Sequence, residues 1–284
     1  MVLKKEIIEL AHAKGVKTKT IDKDWILGHF LNAMFCLEEV QQNFVFKGGT
    51  CLKKCYFGDY RFSEDLDFTL LDEAFVIDAN FIRKIIKQAE KSSGAKFYFE
   101  KLKLQQCNNK AQGYEIIVKY WGADHRKTQK PLPASRWQTS IKLDISFSEK
   151  LLLPVVYKKI FHDFSDRDAI SQTIPVYSLH EIIGEKLRSL IQRNRPRDIY
   201  DIWTLSTFFS EEQYAGIKAT LIEKSNEKNI TISGIEDFVN QTKREKNKRA
   251  WYSSLADHLP ENELPDFDEV YELLRDFIAR ILNS

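Results

Sequence analysis

The chain has 284 residues, of which 43% are hydrophobic and 30% charged, with a formal net charge of +2 and only 11 Gly and 7 Pro. This balance excludes a disordered, collagen-like or low-complexity chain and predicts one large domain or two modest ones. No apolar run approaches the roughly 20 residues of a membrane helix, and no signal-peptide-like segment opens the chain. The expectation is therefore a soluble, cytoplasmic protein without membrane contact. Four cysteines without a CxxC pair predict neither a disulfide scaffold nor a zinc site.

The first forty residues carry helical periodicity: Ile7, Ile8, Leu10 and Ala11 form one apolar stripe, and Trp25, Ile26, His29, Phe30, Ala33 and Leu37 another. From Phe44 the period shortens. Strand-type runs are expected over 44–46, 66–71, 97–104, 114–121, 137–147 and 174–177, with a helix near 81–89 among them. Ser178 and Glu181 have capping-box spacing, and Pro196 suits the first turn of the next helix. Residues 266–282 form a final amphipathic pattern. The predicted fold class is α/β: residues 1–177 hold a small mixed sheet with flanking helices, and residues 178–284 form a helical domain.

Lys47-Gly48-Gly49-Thr50 follows an apolar strand and precedes a short helix. Paired glycines let backbone N–H groups approach a phosphate without Cβ clashes, although an ordinary strand-to-helix turn has the same composition. Asp65 and Asp67 lie two apart on a strand, so both carboxylates share a face while Leu66, Phe68 and Leu70 point to the core. Adjacent carboxylates repel unless a cation stands between them. A pair of Mg²⁺ ions would cancel that repulsion and could clamp a nucleoside triphosphate, although a solvent-exposed acidic face has the same pattern. Ile141 to Phe147 alternates strictly and leaves Asp144 opposite its apolar face. If this strand lies beside the first, three carboxylates converge.

In a helix from Leu179, Lys186 falls at the edge of the buried stripe formed by Ile183, Leu187 and Leu190. A lysine there needs a partner. Asp198 and Asp201 are the candidates, as a structural ion pair or as part of a nucleotide pocket. Cys51 and Cys55 are expected to be core residues, and no histidine is assigned to a metal. Arg61 and Ser63 could contact phosphate or merely stabilise their loop.

Gly48-Gly49-Thr50, Arg61-Phe62-Ser63-Glu64-Asp65-Leu66-Asp67 and the lone Asp144 together resemble the polymerase β-type nucleotidyltransferases. Glu185-Lys186-Leu187-Arg188 with Arg193 and Arg197-Asp198-Ile199-Tyr200-Asp201 is similar to the AbiEii/AbiGii toxin nucleotidyltransferases, including MenT-like toxins. The resemblance covers about residues 44–205. It implies a nucleotidyltransferase core whose cleft is closed by the helical half. Transfer of a nucleoside monophosphate from an NTP to a hydroxyl is then expected, with the tRNA 3′ end as acceptor and a cognate antitoxin as partner. It assigns Asp65, Asp67 and Asp144 to two Mg²⁺ ions and to catalysis, with Lys186 and Asp201 also catalytic. Gly48, Gly49, Thr50, Arg61, Ser63, Lys186 and Asp198 are assigned to nucleotide.

These motifs concern NTP and metal and leave the acceptor open, so a protein or small-molecule hydroxyl remains an alternative. A non-catalytic nucleotide- or RNA-binding relative is another, although all three carboxylates are present. Lys243, Arg244, Lys246, Lys248 and Arg249 form a basic run opposed only by Glu245. It is a candidate RNA-binding segment or a solvated helix face, with the loop around Arg126 and Lys127 as the next candidate.

Overall fold

Alternation of buried and half-exposed side chains along two central strands gives this protein a sheet with one apolar and one polar face. The structure is a computed structural model and describes residues 2–107, 109–125, 129–260 and 263–284. The chain forms two compact units, residues 1–148 with 155–176, and residues 149–154 with 177–284.

The first unit opens with helices α1 (Lys4–Ala13), α2 (Thr18–Phe35) and α3 (Glu38–Asn43). Strand β1 (Phe44–Lys47) runs into the short helix α4 (Gly48–Cys51), which continues as a π-helical turn over Leu52–Tyr56. Then come β2 (Asp65–Leu70), α5 (Ala79–Ser93), β3 (Lys96–Cys107), β4 (Lys110–Trp121), β5 (Ser140–Ser146), β6 (Val156–Lys159) and β7 (Thr173–Val176). The strands form a mixed sheet in the order β3-β4-β5-β2-β1-β7-β6. Its apolar face is covered by aromatic packing: Phe35 lies 6.2 Å from Phe68, Phe30 5.8 Å from Phe97, and Phe44 stacks on Phe81 at 6.0 Å. Burying each such ring contributes about 1.5–3 kcal/mol, which is why α2 and α5 stay on this face. Asp78 caps α5 by accepting from the Phe81 N–H at 2.7 Å, and Gly94 ends it in the left-handed region.

The structure departs from the sequence expectation at two places here. Residues 137–139 are not in the strand, because a 3₁₀ turn at Ala134–Arg136 leads into β5, which starts at Ser140. The edge strand β6 carries no alternation that would mark it. The reading of Cys51 and Cys55 as core residues holds, with both buried.

The second unit contains α6 (Leu179–Arg193), α7 (Pro196–Ser206), α8 (Tyr214–Asn226), α9 (Gln241–Leu255) and α10 (Phe267–Asn283). Ile183, Leu187, Ile199, Ile202, Leu221, Leu274 and Ile281 are wholly or almost wholly buried among these helices. Ser178 caps α6 by accepting from the Glu181 N–H at 3.1 Å. The expected capping box is only half formed. The Glu181 carboxylate accepts instead from the Leu152 and Leu153 N–H groups and pairs with the buried Lys224. No helix among the described residues is long and apolar enough to cross a membrane.

Candidate active site

The two carboxylate strands lie side by side. β2 and β5 pair in parallel with Asp65 opposite Lys142 and Asp67 opposite Asp144. Leu66, Phe68, Leu143 and Ile145 are buried on the other face, so all three carboxylates project from the same side of the sheet and are half-buried. Lys142 places Nζ 2.7 Å from Asp144 Oδ2 and 3.7 Å from Glu115, while Gln105 donates to Asp144 Oδ1 at 3.4 Å. Burial, reinforced by the Asp144 and Glu64 charges and opposed by Lys23 and Lys142, holds the Asp65 carboxyl above its ordinary value. Burial alone would pull the Lys142 ammonium down, but its hydrogen bond with Asp144 and the surrounding carboxylates raise it. Carboxylate oxygens on one polar face are the donor type a hard divalent cation takes, although the three do not close into a set within 4.8 Å as His29, His162 and Asp166 do.

The Gly48-Gly49-Thr50 turn packs directly against this group. Gly48 has φ +79°, and a Cβ there would stand 2.4 Å from Asp67 Oδ2, so the backbone can come this close only without a side chain. A Cβ on Gly49 would meet Arg61 Nη2 at 2.8 Å and Ser63 Oγ at 3.2 Å. Thr50 donates its hydroxyl proton to the Asp65 carbonyl. The structure thus brings Gly48, Gly49, Thr50, Arg61, Ser63, Asp65, Asp67 and Asp144 together, although they come from a turn, a loop and two strands. Arg61 is buried and directs Nη1 to the Phe62 carbonyl at 3.2 Å.

In the second unit, Lys186 Nζ lies 2.7 Å from Asp201 Oδ2 and 3.1 Å from Asp198 Oδ1. Arg193 holds Asp198 side-on, Nε donating to Oδ2 at 2.8 Å and Nη2 to Oδ1 at 2.9 Å. Asp201 is fully buried, Asp198 and Lys186 nearly so. Burial would push the Asp198 carboxyl up, but the Lys186 and Arg193 charges hold it below its ordinary value. The lysine therefore engages both of its candidate partners.

A family model for the nucleotidyltransferase AbiEii toxin of type IV toxin–antitoxin systems matches residues 29–273. The chain belongs to the AbiEii nucleotidyltransferase toxin family. MenT4, a nucleotidyltransferase toxin from Mycobacterium tuberculosis H37Rv, has a similar fold at a TM-score of 0.67 and 16% identity, covering 100% of this chain and 91% of its own. JHP933 from Helicobacter pylori is similar at a TM-score of 0.56 and 17% identity, covering 94% of each chain. At these identities the likeness carries the fold alone. Among curated proteins none matches the chain.

This AbiEii toxin is accordingly a nucleotidyltransferase of a type IV system, and the family implies an NTP substrate and an antitoxin partner. Its basic run lies on α9, where the charges are partly paired: Arg244 reaches Asp268 at 3.0 Å and Glu272 at 3.4 Å, and Lys248 also binds Asp268. Lys243 donates to the Asp237 carbonyl, and Arg249 stands 4.0 Å from Glu245. Lys246 makes no ion pair among the described residues. Arg126 and Lys127 lie outside the described residues.

One polar cluster escapes sequence reasoning altogether. His29, His162 and Asp166 have ligand atoms within 4.8 Å of one another. Asp166 accepts from His29 Nε2 and His162 Nε2, each at 3.1 Å, and from Trp25 Nε1 at 3.2 Å. Burial opposes this charge, yet these donors hold the Asp166 carboxyl far below its ordinary value. The ring nitrogens facing the carboxylate are already used, so the cluster acts as a pin between α2 and the 162–166 segment. Only the i, i+4 spacing of His162 and Asp166 is visible in the chain; His29 comes from a distant helix.

Proposed function

We propose that this AbiEii toxin moves a nucleoside monophosphate from an NTP onto the 3′-terminal hydroxyl of tRNA, releasing pyrophosphate, in a Mg²⁺-dependent reaction in the cytoplasm. The observation that carries the reading is the register of Asp67 opposite Asp144 with the Gly48 backbone packed against Asp67. Asp65, Asp67 and Asp144 would hold two Mg²⁺ ions, which lower the pKa of the acceptor hydroxyl and offset charge on the phosphates. Gly48, Gly49 and Thr50 would offer their backbone to the β and γ phosphates, and Arg61 and Ser63 border the same segment. Lys186, oriented by Asp198 and Asp201, would neutralise charge that develops on the triphosphate. The basic face of α9 would contact the tRNA backbone.

The test is incubation with each labelled NTP, Mg²⁺ and total tRNA alongside a protein fraction. Label at the tRNA 3′ end supports the reading. Label on protein alone would retain the chemistry and overturn the acceptor, and no labelled macromolecule would overturn both.

A further inference from the structure

A cavity of about 290 Å³ opens in the first unit, on residues distinct from those of the carboxylate site. Its wall combines the apolar surfaces of Phe62, Phe161 and Phe164 with the cations Lys14, Lys53 and Arg167. Lys53 is buried, with only 7% of its surface exposed. An ammonium has three donors and is costly to bury without acceptors. Here Lys53 donates to the Gly58 carbonyl and sits 4.5 Å above the Phe62 ring. Asp24, the acid beside it, is taken by Lys54 at 2.7 Å. With Lys54 and Asp24 paired, the wall keeps three cations that form no ion pair among the described residues, Lys53, Lys14 and Arg167, and two carboxylates, Asp59 and Asp163. Positive charge is therefore in excess.

We propose that this cavity binds a phosphate group, as free phosphate or as a small phosphomonoester. Three cations arrive from three segments: the C-terminus of α1, the π-helical turn after α4 and the 3₁₀ turn at Arg167. A tetrahedral anion has oxygens for all three, while a carboxylate offers two in one plane. The cavity exceeds the size of one phosphate, and its phenylalanines suit a compact apolar body. Burial lowers Lys53 to about 8, with Asp24 and Asp59 opposing the shift and Lys54 and Lys14 adding to it, and a bound anion would reverse it. Phe62 neighbours Arg61 and Ser63, so an occupant would press on the loop that borders Gly49.

Pyridoxal 5′-phosphate is the probe. At pH 8 an unprotonated lysine condenses with its aldehyde, releasing water, and borohydride then reduces the imine to a secondary amine that peptide mapping locates. Lys53 should be modified several-fold faster than exposed lysines such as Lys5. Inorganic phosphate should suppress the modification, and acetate at equal ionic strength should not. Protection by phenyl phosphate at lower concentration than inorganic phosphate would identify a phosphomonoester; equal protection would identify free phosphate. Arg167→Gln alters an exposed side chain and should weaken phosphate protection of Lys53 several-fold without changing the melting temperature. Modification of Lys53 at the rate of surface lysines, equal protection by acetate, or protection unchanged in Arg167→Gln would each overturn the proposal.

Discussion

Asp67 on β2 and Asp144 on β5 stand opposite each other across a parallel strand pair, both on the polar face of the sheet. Like charges in this register destabilise the pair unless cations intervene, and Lys142 provides one of them at Asp144. Asp67→Asn keeps the side-chain volume and removes one charge from the proposed metal set. It should abolish nucleotide transfer and the rise in melting temperature caused by Mg²⁺, while leaving the metal-free melting temperature within a few degrees of the parent. Retained transfer would remove Asp67 from the mechanism, and a large metal-free loss would make its role structural.

Local period makes this site partly legible. The alternation around Asp65–Asp67 and Asp144 depends on side-chain direction within one strand, which the sequence displays directly. The close approach of Gly48 to Asp67 depends on β1 pairing antiparallel to β2, with Lys47 opposite Asp67, and a turn composition cannot reveal that. β6 is invisible for another reason. Val156-Tyr157-Lys158-Lys159 is a four-residue edge strand with no buried residue, so its half-exposed and exposed positions are not sorted into apolar and polar residues. The Lys186 partners are legible because α6 and α7 are joined by a short turn before Pro196, which returns Asp198 and Asp201 to the lysine.

The Lys186 cluster separates a structural from a functional role by a double-mutant cycle. Breaking a buried ion pair by removing one member costs about 3–5 kcal/mol, because the remaining charge is stranded. Lys186→Met and Asp201→Asn should each lower stability in urea unfolding, and the double variant should lose less than the sum. Additive losses would show that the 2.7 Å contact is not energetically coupled. Transfer should fall in both single variants, and in Lys186→Met even at temperatures where the protein remains folded. Full transfer by folded Lys186→Met would remove the lysine from the nucleotide site.

The α9 run divides by pairing. Arg244 and Lys248 share Asp268, whereas Lys246 has no ion-pair partner among the described residues. If α9 contacts tRNA phosphates, each lost contact should shallow the log–log salt dependence of binding by roughly 0.7–0.9 unit. Lys246→Ala should give that full change, while Lys248→Ala and Arg249→Ala should each produce less because Asp268 and Glu245 already offset their charges. NTP affinity should not move. An unaltered salt slope in Lys246→Ala would exclude this residue from the RNA interface.

Stability of the first unit should depend on pH through Asp22. This side chain accepts from the Ala123 and Asp124 N–H groups at 2.7 and 3.2 Å, and Gly122 packs so close that a Cβ would lie 2.3 Å from its Oδ2. Burial outweighs those hydrogen bonds and pushes its pKa up to about 6 from 3.8. Since the folded value is the higher one, the neutral acid is favoured by folding. That stabilisation is fully present below about pH 4 and is lost as pH rises through 6, a change on the order of 3 kcal/mol. An asparagine in its place stays neutral throughout and can still accept both backbone bonds. Asp22→Asn should therefore gain stability relative to the parent between pH 4 and 6, with a constant advantage above that. Urea unfolding of both proteins across pH 4–8 checks this: parallel stability curves would show that Asp22 does not titrate in the window, and a growing deficit for the variant would show that the charged form is the one the fold prefers.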